Sequence, residues 1–260
     1  MPDPVAPVET NSGNDRFNAE AAAWDKKPFV HAMSLEAWKA IQKSVPSLFI
    51  EPDNSLGRPD ILEIGCGTGL LTLEVAPAAN RLVAVDAAPG MIDVLSSKLN
   101  QPNAPNNVIP LALLLEDPED TMLPPAEQAK PNGPRLKFDL IISHLVLHHI
   151  PDLKQVLKTM LGCLNEGGSV ALTDFEDFGP EARRFHPEYK MDGVERHGIN
   201  REWMTALMLE VGFRDVKVEV AWEHDKVVEN YPGEFKLGKP AEGEGNRMKF
   251  SYIICLGKKA

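Results

Sequence analysis

Apolar residues along this chain fall into two periods. Short, nearly unbroken runs recur at 60–64, 81–86, 108–115, 138–143, 169–173, 216–221 and 250–256. They have the length and content of strands, and several are apolar enough to be covered on both faces. Between them, apolar positions repeat at three and four. Leu153, Val156, Leu157, Met160, Leu161 and Leu164 mark one helix face, and Met33, Ala37, Ile41 and Val45 another. Further helices are expected over 16–23, 70–75, 89–99 and 200–211, the last capped by Asn200, with Gly167-Gly168 closing the helix that starts near Asp152. The insert 116–137 breaks into proline and charge and reads as an irregular surface excursion. Alternating strands and helices, with a strand pair at the end, predict a Rossmann-like doubly wound α/β sheet with helices on both faces. Such a sheet binds its ligand beyond the carboxyl ends of its strands.

The stretch that decides the ligand class is Glu63-Ile64-Gly65-Cys66-Gly67-Thr68-Gly69, which joins the first strand to a helix. Glycines there permit a tight turn and let a ligand approach the main chain. The next strand ends in Asp86, where a βαβ unit places an acid against a ribose. A dinucleotide fingerprint requires its third glycine at position 70, but position 70 is Leu70 and the third glycine is Gly69. Nicotinamide chemistry is disfavoured on that spacing.

The pattern Glu63-x-Gly65-x-Gly67-x-Gly69 resembles instead the first motif of class I S-adenosylmethionine (SAM)-dependent methyltransferases. The likeness continues in Val83-Ala84-Val85-Asp86 followed by Met91, in Phe138 to Ser143, in His148-His149-Ile150-Pro151-Asp152, in Leu164 to Gly168 and in Glu210 to Phe213. The resemblance implies a seven-stranded sheet, mostly parallel with an antiparallel terminal strand. It implies SAM as cofactor, S-adenosylhomocysteine as product, and no metal. An Arg-Phe opening followed by Trp24-Asp25 is similar to the helical lid of some relatives, which makes Trp24 either a cofactor contact or a structural anchor. Residues 15–50 would be that lid, 60–175 the SAM-binding half and 176–260 the acceptor side.

Within that frame Asp86 would accept the ribose hydroxyls, with Ala87 beside it, and Met91 would cover adenine. Glu116 or Asp117 would accept the adenine amine, the residues leaving the choice open. Glu63 and the backbone of Gly65 and Gly67 would face the methionine end, with Ser143, His144 and His149 across the sheet. Cys66 and Thr68 are expected to contribute little beyond their backbone. For the acceptor, His197, His149 and His186 are candidate general bases, since an imidazole near neutrality can take a proton from an oxygen, nitrogen or sulfur nucleophile. His144 and His148, four apart, have no third ligand spaced to join them, so metal binding is not expected.

Composition narrows the partners. At 260 residues with 43% hydrophobic content, one domain with a single substantial core is expected. A formal net charge of −11 without a basic stripe argues against nucleic acid and favours a small-molecule acceptor, a protein side chain or a non-catalytic SAM-binding role being the alternatives. Three cysteines without metal spacing suit a reducing, cytoplasmic setting. The Pro-rich, acidic opening is neither a secretory signal nor a membrane span, and residues 1–14 are expected to be a disordered tail. Oligomeric state, monomer or homodimer, is left open.

Overall fold

The computed structural model describes residues 12–49, 57–236, 240–241 and 243–260. The first eleven residues of the expected tail lie outside the described residues. Helix α1 (Ser12–Trp24) begins within that expected tail, and α2 (Pro28–Ser44) follows a short turn. The doubly wound part runs β1 (Asp60–Ile64), α3 (Leu70–Val75), β2 (Arg81–Asp86), α4 (Pro89–Leu99), β3 (Val108–Ala112), β4 (Phe138–His144), α5 (Leu153–Cys163), β5 (Leu164–Phe175) and α6 (Arg201–Val211). A long hairpin, β6 (Arg214–Val228) and β7 (Asn246–Lys258), ends the chain. The strands form a seven-stranded sheet in the order β3-β2-β1-β4-β5-β7-β6. All neighbours are parallel except around β7, which runs antiparallel to both β5 and β6.

The two faces of the sheet bury different helices because strand side chains alternate. Leu62, Ile141, Val170 and Ile253 point to one side, where Leu157 and Met160 of α5 and Met204 and Met208 of α6 cover them. Ile61, Leu140, Ala171 and Ile254 point to the other, under Trp38 and Ile41 of α2, Val75 of α3 and Leu95 of α4. Order reversal between β1 and β4 opens a crevice at the carboxyl ends of both strands, and α1 lies above it.

Three boundaries differ from the sequence pattern, each for a local reason. Gly167-Gly168 does not close α5; the helix ends at Cys163, and the glycines lie within β5. A Cβ on Gly168 would stand 2.9 Å from both the Phe138 and the Asn165 carbonyl oxygens, so the pair lets β5 press against β4 at a register shift. The third strand stops at Ala112, leaving Leu113 to Leu115 extended toward the crevice. β6 and β7 outrun their apolar segments because the added length is held by charged rows, Lys249–Glu223 at 3.2 Å and Arg247–Asp225 at 3.9 Å. The insert 116–137 is irregular but organised, since buried Arg135 donates to the carbonyls of Leu123, Pro131 and Gly133.

The segment 176–200 is stitched back onto the sheet by a bridge between Glu176 and Ile199. Gly198 makes this approach possible: its φ is +101°, and a Cβ would lie 2.7 Å from the Asp177 nitrogen and 2.8 Å from the Glu176 carbonyl carbon. Backbone cannot yield as a flexible side chain can. Gly198→Ala should therefore lower unfolding free energy by about 1–3 kcal/mol, the usual cost of overpacking, with strain added. Gly233→Ala is the matched comparison, with φ +82° and nothing within 4 Å. Urea denaturation of the two variants checks the difference, and equal midpoints would refute it.

Candidate functional site

The glycine loop wraps a cavity of about 270 Å³ at the crevice. Gly65 and Cys66 both donate to the Val85 carbonyl, at 2.8 and 3.0 Å, which folds the end of β1 over β2. Gly65 has φ +73°, and a Cβ there would meet Val146 Cγ2 at 2.4 Å, so only glycine lets β1 pass the segment after β4. That segment is itself strained, with Leu145 at φ +56° despite its side chain. Gly69 does not line the cavity; it starts α3 in the left-handed region at φ +83°, against Leu95.

Asp86 lines the cavity and organises it. Its Oδ2 accepts from the Gly67 N–H and its Oδ1 from the Ala88 N–H, both at 2.8 Å. One carboxylate thus fixes the glycine loop and the turn into α4, while each oxygen keeps a further lone pair for a ligand. Desolvation raises its pKa, and the two N–H donors pull the other way. Glu63, buried at the end of β1, accepts from Thr72 Oγ1 at 2.6 Å. Burial pushes its carboxyl up to about 8, with the Asp86 charge adding to the rise. Ala87, Met91 and Cys66 line the same cavity; Met91 packs under Ala21 of α1.

Other expected contacts fall elsewhere. Glu116 and Asp117 are exposed and do not line the cavity; the wall there is Leu113, Leu114 and Leu115. The Asp117 carboxylate caps its own turn at the Glu119 N–H, 2.8 Å away. Ser143 is buried and donates to the Ile64 carbonyl at 2.8 Å, tying β4 to β1. His144 does line the cavity, its Nδ1 2.9 Å from Thr173 Oγ1, and burial lowers its pKa to about 4.

The N-terminal helix covers this floor. Asn14, Phe17 and Trp24 line the cavity, and Lys27 Nζ sits 4.1 Å from the Trp24 ring. Asn18 accepts from the Gly90 N–H at 2.8 Å. The stronger latch is Asp25, which accepts from Thr68 Oγ1 and pairs with Lys98 Nζ, each at 2.5 Å. Lys98 Nζ also donates to the Thr68 carbonyl at 2.7 Å. Thr68 therefore does more than fill a turn: its hydroxyl joins the turn between α1 and α2 to the glycine loop. Sequence reasoning singled out Asp25 only as part of the Trp24-Asp25 motif and missed its pairing with Lys98, 73 positions away and ordinary in isolation.

The histidines converge on the opposite wall. His149 lines the cavity, its ring edge-on to Phe17 at 5.1 Å, and its Nδ1 lies 2.6 Å from the Gly193 carbonyl. Desolvation, then neighbouring His148, depresses its pKa to about 2. His148 stands behind it, Nδ1 2.8 and 3.0 Å from the two oxygens of buried Asp174. His186 joins these two, its pKa well below the usual value because of burial first and His148 second. His197 is outside the cavity-lining residues; desolvation lowers its pKa, with Arg183 adding. Arg196, unremarked in the sequence, holds this wall by donating to the carbonyls of Leu147, Ile150 and Pro151 at 2.6, 2.5 and 3.0 Å.

A glycine loop, an acid at the end of β2 and a crevice at the reversal of strand order define a nucleoside-binding α/β protein. Residues 62–170 match the family model described as a methyltransferase domain. The chain is similar to the malonyl-[acyl-carrier protein] O-methyltransferase of Paenibacillus sp., 30% identical over 180 residues that make 63% of this chain and 59% of the relative. The enzyme of that name from Acetivibrio thermocellus is 29% identical over 150 residues, 56% of this chain and 46% of the relative. An uncharacterized methyltransferase of Schizosaccharomyces pombe is 28% identical over 141 residues, 53% and 47%. The chain thus spans about half the length of the curated relatives it matches. Among solved structures, a putative methyltransferase from Bacillus halodurans superposes with a TM-score of 0.58 at 16% identity, covering 84% of this chain and 97% of that one. The N-methyltransferase NodS from Bradyrhizobium japonicum, in complex with S-adenosylhomocysteine, has a TM-score of 0.54 at 17% identity, covering 97% and 99%. These structures speak to the fold. Residues 62–170 thus match a methyltransferase domain, set in a fold that solved methyltransferases share.

Two predictions follow from the acids and the latch. A cationic ligand beside Glu63 favours its carboxylate, so below pH 8 binding of S-adenosylhomocysteine, which carries an ammonium, should release a proton. Affinity should rise with pH up to about 8 and then level. Calorimetry in buffers of different ionisation heat reads the proton, and Glu63→Gln should abolish the release. Asp25→Asn, in turn, should weaken that binding by on the order of 1–2 kcal/mol and speed tryptic cleavage at Lys26-Lys27. Unchanged cleavage would show that the Asp25 pair does not hold the lid.

Proposed function

We propose that this chain transfers the methyl group of SAM to an oxygen, nitrogen or sulfur nucleophile of a small-molecule acceptor, releasing S-adenosylhomocysteine. The observation that carries the reading is the charge of the cavity: two carboxyl groups, Glu63 and Asp86, line it, and no Lys or Arg does so among the described residues. A dinucleotide would set its pyrophosphate against two acids with no compensating cation. A ligand bearing a sulfonium and an ammonium meets acceptors instead. The loop also leaves main chain open to a ligand, since Gly65 and Gly67 line the cavity without side chains, at φ +73° and +53°.

SAM supplies an electrophilic methyl on a positively charged sulfur, displaced in line by a nucleophile. The residues supply position. Asp86 binds the ribose hydroxyls, Met91 and the Leu113–115 wall enclose adenine, and Glu63 holds the ammonium. Trp24 and Phe17 shut water out from above, and the acceptor enters against the wall of His144 and His149. Burial keeps both imidazoles neutral at working pH. They therefore orient the acceptor as hydrogen-bond partners rather than by charge. Two relatives are named malonyl-[acyl-carrier protein] O-methyltransferases, and those names support an oxygen as the accepting atom.

A product screen with methyl-labelled SAM across phenols, thiols, amines and small carboxylates tests the reading. Label should reach at least one class, and binding without transfer to any would reduce the protein to a SAM-binding partner. Asp86→Ala should weaken SAM binding by roughly 1.5–3 kcal/mol, as for a hydrogen bond to a charged group, while the chain stays folded. Titration calorimetry giving wild-type affinity would remove Asp86 from the site.

A further inference from the structure

Three imidazoles that no sequence spacing joins meet behind the cavity wall. His148 and His149 come from the turn 147–149 after β4, and His186 from the segment after β5. One ring nitrogen of each lies within 4.8 Å of the others. We propose that His148, His149 and His186 hold a divalent transition-metal ion of the zinc type beside the methyl-donor cavity.

The hydrogen bonds around the rings prepare them for this. His148 Nδ1 faces the Asp174 carboxylate at 2.8 Å, and His149 Nδ1 faces the Gly193 carbonyl at 2.6 Å. Both partners are acceptors, so in the neutral tautomer that this pairing favours each ring carries its proton on Nδ1 and can offer Nε2 to a metal. This is the outer-shell arrangement that metal-binding histidines use. A second observation points the same way. His148 Nε2 and His186 Nδ1 are buried and have no hydrogen-bond partner. Leaving a buried polar atom unpaired costs free energy, and a shared cation satisfies both at once. Three imidazoles select zinc, cobalt, nickel or copper over magnesium or calcium, which take oxygen donors.

Tetrahedral coordination with metal–nitrogen bonds of 2.0–2.1 Å sets ligand nitrogens about 3.3 Å apart, so the rings would draw together by on the order of 1 Å. Asp174, buried against His148, offsets the ion's charge in part. Arg16 and Lys226 oppose it, since both lie near enough to His186 to act on its charge. His149 belongs to the cluster and to the cavity wall alike. A fourth ligand, water or a heteroatom of the acceptor, would complete a site with three protein ligands. That last role rests on the methyl-transfer reading; occupancy of the site by metal does not.

The test uses the full chain stripped with chelator, titrated with zinc chloride and separately with cobalt chloride, while S-adenosylhomocysteine binding is measured on the same preparations. One zinc per chain at submicromolar affinity is expected, with tetrahedral cobalt absorption in the visible. His186→Ala should lose at least 100-fold in zinc affinity, and Asp174→Asn about 10–100-fold, the usual cost of removing an outer-shell partner. S-adenosylhomocysteine affinity in His186→Ala should stay within about twofold, which shows that the variant is folded. Wild-type protein that takes up no stoichiometric zinc, or a folded His186→Ala that binds it equally well, overturns the proposal. Failure of S-adenosylhomocysteine to bind wild-type protein would instead count against the methyl-transfer reading and leave the zinc result standing.

Discussion

The Asp86 carboxylate is the contact on which the site depends. It sits at the tip of β2, yet its two oxygens take the Gly67 and Ala88 N–H groups, which belong to two different strand–helix turns. Among the described residues no other side chain accepts from those two amides, so one residue sets the distance between the glycine loop and the start of α4. The lid then depends on both turns. Asn18 grips the Gly90 amide on one side, and Asp25 grips Thr68 and Lys98 on the other. A change at Asp86 is therefore felt in the floor of the cavity and in its roof.

Much of this was legible in the sequence because it was local. Glycines at 65, 67 and 69, an acid two elements later and apolar runs of strand length are read by spacing alone, and the strands fall where those runs are. The antiparallel place of the last strand came from family resemblance, since no period distinguishes a strand that inserts from one that adds at the edge. What stayed hidden was long-range pairing. Asp25 with Lys98, Arg196 with the carbonyls after Leu147, and Asp174 with His148 each join residues that local pattern treats as ordinary surface charge. Glu116 and Asp117 show the opposite error: a motif position carries the right chemistry, but the strand ends at Ala112 and three leucines take the wall.

The histidines illustrate how burial changes a role. By composition they are bases titrating near neutrality. In the fold, His149 and His144 are stripped of water, and their pKa values fall to about 2 and about 4. An imidazole held that low is a weak proton acceptor, because proton-transfer efficiency follows basicity. It remains a good lone-pair donor. The same environment that takes general-base catalysis away from His149 leaves its Nε2 free for a ligand, while its Nδ1 is tied to Gly193.

Electrostatics also divides the cavity. Its floor holds two acids whose ionisation burial makes costly: desolvation raises both Asp86 and Glu63, the latter to about 8 with the Asp86 charge adding to the rise. Its far wall holds neutral imidazoles. A cation entering on the acid side recovers Coulomb energy that the protein alone cannot use, and the recovery is largest where water is excluded. On the methyl-transfer reading the sulfonium of SAM becomes a neutral thioether, so the attraction available to the reactant is smaller for the product. On that reading the acids favour binding of the charged donor over retention of the neutral product.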